Sequence, residues 1–172
     1  HRTPLEWKHR HQVRERIVGG RIAFRAAQGS LAFNYLRMDW SGRLVQQLPH
    51  YGYLREAHDL SYLQHFSLDY RMTSLSGQWL SAGEMALSTR GGKAALAYVR
   101  YRDPDRGDYT LSGRYLSSSY MAPLGNTPSR FAYPGNEMGC YMAAHLPLLD
   151  QLDLLLSWDV YRSLVVRKGE EA

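Results

Sequence analysis

Charged side chains recur in this chain at the spacing of β-strands, and that pattern decides what chemistry they can do. Arg21, Arg25, Arg71, Arg100, Arg102 and Arg114 fall at alternate positions with the same phase as Asp69, Glu84, Glu137, Asp153 and Asp159. Cations and anions nearly balance. The guanidinium is a planar fork suited to carboxylates in confined places. In a small barrel such residues pair and fill the interior, and in a wide one they line water. The set is therefore expected to be a polar lumen lining, with a selectivity constriction as its more specialised form.

Other chemistries find less support. His65, Ser67 and Asp69 share a strand face, the trio an outer-membrane lipid hydrolase would need. Alternate residues on a strand stand about 7 Å apart, too far for a nucleophile–base hydrogen bond along it. No oxyanion hole accompanies them, so no catalytic residue is assigned and the chain is not expected to be an enzyme. His9-Arg10-His11 puts two imidazoles on one face of an extended segment, but no third ligand has a metal-site spacing, and neither metal nor cofactor is expected. Gly19-Gly20 and Gly91-Gly92 lack the strand-to-helix setting of a phosphate loop. Cys140, the single cysteine, is read as a small apolar residue on a strand.

The elements that position these groups are strands. From Asp59 to Met72, Leu60, Tyr62, Phe66, Leu68, Tyr70 and Met72 take one parity, while Ser61, His65, Ser67, Asp69 and Arg71 take the other. Soluble strands run about 5–6 residues, whereas a strand crossing an outer membrane needs roughly 9–11. Comparable runs are expected near 16–26, 30–40, 78–88, 93–102, 109–116, 137–146 and from 152 onward, where Leu152, Leu154, Leu156, Trp158 and Val160 form an apolar stripe. Gly19-Gly20 marks a bend or bulge. In the second run the phase slips at Arg37 and Asp39, which implies a bulge near Leu36 or departure from the membrane there. A turn is expected over Pro147–Gln151. The expected fold is all-β, an antiparallel up-and-down transmembrane β-barrel, with about eight strands visible of a larger barrel.

Connections give a second signal. The long ones, over 41–58 and 117–136, fall at one rim, and the connections at the other rim are short. Outer-membrane barrels have this asymmetry, with long loops outside and short turns in the periplasm. Trp79, Tyr101 and Tyr109 face outward near the short-turn rim, as an aromatic girdle would. The competing architecture is a soluble β-sandwich or a lipocalin-like barrel that binds a ligand or protein partner, because alternation alone does not say which face is wet.

Bulk properties agree with strands in lipid. Mean hydropathy is −0.45, too polar for a helical membrane protein, and no window approaches roughly 18 uncharged apolar residues. Net charge is +5, carried almost wholly by arginine, since Lys8, Lys93 and Lys168 are the lysines. Outer-membrane lipid is the expected surrounding, and anionic lipopolysaccharide fits the charge. The basic start, with Arg2, Lys8, Arg10, Arg14 and Arg16, has little aromatic interleaving beyond Trp7, so nucleic-acid binding is not expected of it. Residues 1–15 are read as a basic linker, 16–162 as the barrel region and 163–172 as a charged tail. With no apolar leader at its start and no aromatic residue at its end, the chain is expected to be an interior piece of a longer protein.

Three places carry a family resemblance: Leu68-Asp69-Tyr70-Arg71; Gly83-Glu84-Met85-Ala86; and Tyr115–Asn126 followed by Asn136-Glu137-Met138-Gly139-Cys140-Tyr141. Over about Leu60 to Arg162 the chain resembles the C-terminal barrel region of bacterial outer-membrane proteins that carry N-terminal helix-hairpin-helix repeats. Leu124 stands where that family usually has an aromatic residue. The resemblance implies a porin-like barrel in a Gram-negative outer membrane and no activity. It carries no DNA-binding role, because residues 1–15 cannot hold such a repeat.

Overall fold

A computed structural model describes residues 14–44, 60–122, 129, 135–149 and 151–165. Eight strands run in chain order: β1 (Glu15–Ala26), β2 (Gly29–Leu44), β3 (Leu60–Thr73), β4 (Trp79–Ser88), β5 (Gly92–Asp103), β6 (Gly107–Leu116), β7 (Glu137–Leu149) and β8 (Leu152–Ser163). They form one antiparallel up-and-down sheet in which each strand pairs with its chain neighbours. The sheet is not closed: β1 and β8 are its two edges. No helix among the described residues is long and apolar enough to cross a membrane, which says nothing of strands.

Local chemistry sets the short turns. Asp103 Oδ1 accepts hydrogen bonds from the Asp105 and Arg106 amides at 3.0 and 3.2 Å, an Asx turn that reverses the chain between β5 and β6. Gly107 follows at φ 112°, a conformation that side-chain-bearing residues avoid. The first turn occupies Ala27–Gln28, so Gly29 already belongs to β2.

Three local expectations are corrected. No register shift occurs at Gly19-Gly20, which pair directly with Leu36 and Tyr35; a Cβ on Gly19 would stand 3.2 Å from the Leu36 side chain, so the glycine makes room for a neighbour rather than for a bulge. Nor does β2 bulge near Leu36. Its register is continuous from Gly29 to Asp39, and the irregularity lies between Asp39 and Leu44. Arg37 and Asp39 stay on the face of Phe33 and Tyr35 as an ion pair at 2.7 Å. Pro147 sits inside β7 and not in a turn. It lies where the β7–β8 register shifts, a place that tolerates the missing N–H.

Paired residues share a face, so the register sorts the whole sheet. One outward row reads Ile22, Phe33, Leu68, Met85, Ala95, Tyr115, Met138 from β1 to β7, and the next reads Phe24, Leu31, Tyr70, Gly83, Ala97, Gly113, Cys140, Val160 from β1 to β8. Large apolar side chains here are open: Phe24 is 72% exposed and Trp158 62%. What little core exists lies on the opposite face. Met38 and Leu63 pair there and are buried, with Leu36, Trp40 and Met121 against them. Near the long-connection end of β2 and β3 the two faces thus exchange character, with the ion pair outward and the methionine and leucine inward.

Candidate functional site

The candidate site is the polar face. Register places all of Arg21, Arg25, Asp69, Arg71, Glu84, Arg100, Arg102, Arg114, Glu137, Asp153 and Asp159 on it, opposite the apolar rows. They are not equivalent. Arg21 on β1 reaches across β2 to Asp69 on β3 through both terminal nitrogens, at 2.6 and 2.9 Å. Asn34, between them, accepts from Arg21 at 2.7 Å and donates to Asp69 at 2.7 Å and to Ser67 at 3.0 Å. Each of the four side chains bonds to another in the cluster, and the network lies open on the polar face, where the Arg21 side chain is 52% exposed.

A second network spans β6, β7 and β8. Arg114 donates from Nε to the buried Glu137 and from Nη1 and Nη2 to Asp159, at 2.8 and 3.1 Å. Ser129 Oγ donates to the other Glu137 oxygen at 3.1 Å. Gly139 lies between the partners in register, and its missing side chain leaves space for the guanidinium. Just before β7, Asn136 has φ 57° and is fully buried. Its side chain donates to the Val165 carbonyl at 2.9 Å and accepts from the Val165 amide at 2.7 Å, fixing the end of β8.

Arg102 pairs with Asp108 at 2.7 and 2.9 Å. Asp108 stands at the start of β6 with the parity of Ser112 and Arg114, and so on the polar face. Asp153 has a looser contact, 3.4 Å from His145 Nε2. Arg25, Arg71, Arg100 and Glu84 make no hydrogen bond or ion pair among the described residues.

The start of the second long connection folds over this face. Ser117 continues the sheet by bonding to the Lys93 carbonyl at 2.8 Å. Tyr120 is buried against Ala86 and Leu116, and its ring meets the His65 edge at 5.9 Å. Gly92 is the floor: a Cβ there would collide with the Ser119 carbonyl at 2.5 Å and the Tyr120 Cα at 2.8 Å. Burial, reinforced by the negative charge of Glu84, pushes the Tyr120 phenol up to about 12. Beneath this segment is a cavity of about 340 Å³ bounded by Arg21, His65, Ser67, Asp69, Glu84 and Tyr120. Strand alternation gave Tyr120 and Asn136 no role, because their partners lie on other strands, and only the motif resemblance touched them.

His65, Ser67 and Asp69 do not bond to one another as a hydrolytic set would. Ser67 accepts from Asn34, Asp69 is held by Arg21, and His65 Nε2 is buried without a hydrogen-bond partner. No cluster of three metal-ligating side chains occurs among the described residues, and His9-Arg10-His11 lies outside them. On the opposite face, Trp79, Tyr101 and Tyr109 pair directly across β4, β5 and β6, with ring centroids 4.5 and 6.3 Å apart. They border an apolar groove of about 790 Å³ that continues to Met142, Leu156 and Trp158. The chain matches no protein-family model, and neither characterised proteins nor solved structures show a significant similarity to it.

Proposed function

We propose that this chain is a segment of a bacterial outer-membrane β-barrel that acts, without catalysing a reaction, as a passive pore or as a membrane anchor for other domains. The observation that carries the reading is the uncharged outward band. From the row of Ile22 to the row of Trp79, charge is absent from the described outward positions except at Arg162, beside the long-connection end. The networks of Arg21, Arg102 and Arg114 are on the other face. About nine residues of strand, as from Leu152 to Val160, rise roughly 30 Å and span about 23 Å at the tilt usual for barrels, close to the apolar height of an outer membrane. The Trp79–Tyr101–Tyr109 row then sits where an interfacial girdle belongs.

In lipid an unpaired edge is untenable, because no water satisfies its N–H and C=O groups. The free edges of β1 and β8 therefore call for closure. The segment 117–122 already occupies the polar face, and an eight-stranded barrel has room for side chains but little else. A larger barrel, with further strands between β8 and β1, meets both demands. The motif resemblance to barrels that carry helix-hairpin-helix repeats points the same way.

Fluorescence quenching by brominated acyl chains tests the reading in single-tryptophan variants reconstituted into liposomes. Trp79 and Trp158 are expected to be quenched strongly and Trp40, on the polar face, weakly. Equal quenching of all three, or full solubility without detergent, would overturn it.

A further inference from the structure

The polar face sorts its arginines into two kinds. Arg21, Arg102 and Arg114 each hold a carboxylate by two nitrogens. Arg25, Arg71 and Arg100 make no hydrogen bond or ion pair among the described residues. They follow one another across the sheet, with Arg71 in the middle and two strand spacings from each of the others. Arg25 and Arg71 flank Ser30 in one row of the register. Arg100, two strands beyond Arg71, is one step nearer the short-turn rim, opposite Leu80. Arg25 and Arg71 are exposed and Arg100 half-buried. Ser30 and Ala82, on either side of Arg71, are too short to cap a guanidinium, and Leu80 beside Arg100 has no acceptor. Two strand spacings put the stems of Arg25 and Arg71 about 10 Å apart.

The nearby acids do not cancel this charge. Asp69 is spent on Arg21, and Asp108, which Arg100 attracts from a distance, is held through both oxygens by Arg102. Among the described acids on the strands around these arginines, Glu84 is the one whose carboxylate makes no hydrogen bond or ion pair, one row away on β4. Three forks against one carboxylate leave a local excess of positive charge.

We propose that Arg25, Arg71 and Arg100 form a binding strip for a soluble oligoanion of the phosphate class. Charge-assisted, bidentate contacts are what guanidinium groups make with phosphate oxygens. The separation of the stems suits an anion with oxygens spread along its length better than a single halide. Placement on the face opposite the apolar band directs the strip toward a dissolved solute rather than toward lipid headgroups. This deepens the pore reading by giving the water-facing surface a solute class, and it rests on that reading for passage but not for binding.

The test is calorimetric titration of inorganic tripolyphosphate into the full chain in neutral detergent at low salt, where binding needs no bilayer. The Arg25→Gln/Arg71→Gln/Arg100→Gln variant is expected to weaken binding at least about tenfold, and each single variant less. Arg16→Gln/Arg162→Gln, which removes two outward arginines, should change affinity less than about twofold. Retained β circular dichroism establishes that the variants fold. Equal affinity of wild type and the triple variant, or no binding at all, overturns the strip. So does capture by vesicles of anionic phospholipid through these arginines with no affinity for dissolved tripolyphosphate. A negative outcome here with strong Trp158 quenching in liposomes would sink the strip and spare the barrel.

Discussion

Arg114 occupies the space that a side chain at Gly139 would need: a Cβ built there would stand 2.7 Å from the guanidinium carbon. The glycine lets Arg114 cross β7 and reach Asp159 on β8 while Nε holds Glu137. Gly139→Ala is therefore expected to eject the arginine and strand Glu137 in a buried position, at a cost of about 1–3 kcal/mol. Gly113→Ala is the matched control, since nothing lies within 4 Å of the Cβ it would add. Urea unfolding followed by tryptophan fluorescence checks the pair. Equal midpoints for the two variants would show that the crossing of Arg114 over β7 does not matter to stability.

Asn136 ties the start of β7 to the end of β8 with one amide. Its positive φ favours asparagine or glycine over other residues, and its side chain makes both hydrogen bonds to Val165. Asn136→Ala loses the bonds and strains the backbone, so about 2–3 kcal/mol of destabilisation is expected. Asn136→Gly loses the bonds alone and should be milder. Hydrogen exchange at the Leu164 and Val165 amides should rise in both variants, since these amides bond to the Asn136 carbonyl and side chain. Unchanged exchange would mean that the end of β8 is held by something else.

The strands and their faces were legible because period 2 is a local property. Leu152, Leu154, Leu156 and Trp158 need only one another to declare a face. What was hidden is non-local. Leu63 breaks the alternation of β3, and its reason is Met38 beside it and Met121 from the connection after β6. The ion pairs Arg21–Asp69 and Arg114–Asp159 join residues 48 and 45 positions apart, so only the register reveals them. The slip at Arg37 and Asp39 was visible, but the choice between a bulge and a change of surroundings was not. The pair satisfies itself on the outward face, and no bulge is needed. Which arginines are neutralised was equally invisible, since that depends on partners two strands away.

The Tyr120 phenol offers a pH handle on the folded-over segment. Its folded-state value, about 12, lies above the ordinary phenol value, so the fold favours the neutral ring. That contribution is complete below about pH 10 and lost as pH rises through about 12. Alkaline titration of phenolate absorbance should show a late component that disappears in Tyr120→Phe. Gly92→Ala, which lifts the segment off its floor, should shift that component toward the ordinary range. A late component that survives both substitutions would belong to another tyrosine.

Two exposed positions on the edge strand β8 separate water from lipid. Leu156, 53% exposed, belongs to the outward band, and Ser157, also exposed, belongs to the polar face. In an aqueous sheet an arginine at either place is a surface substitution, expected to change stability by no more than about 0.5 kcal/mol. In a bilayer they part company. Leu156→Arg, at the centre of the Leu152–Val160 stretch, should cost about 2–4 kcal/mol, while Ser157→Arg stays near neutral because it faces the water-lined side. Refolding into liposomes under a denaturant gradient measures both. Near-equal, small effects would place water on both faces of the sheet, and the proposed apolar contact of Leu156 would fail with it.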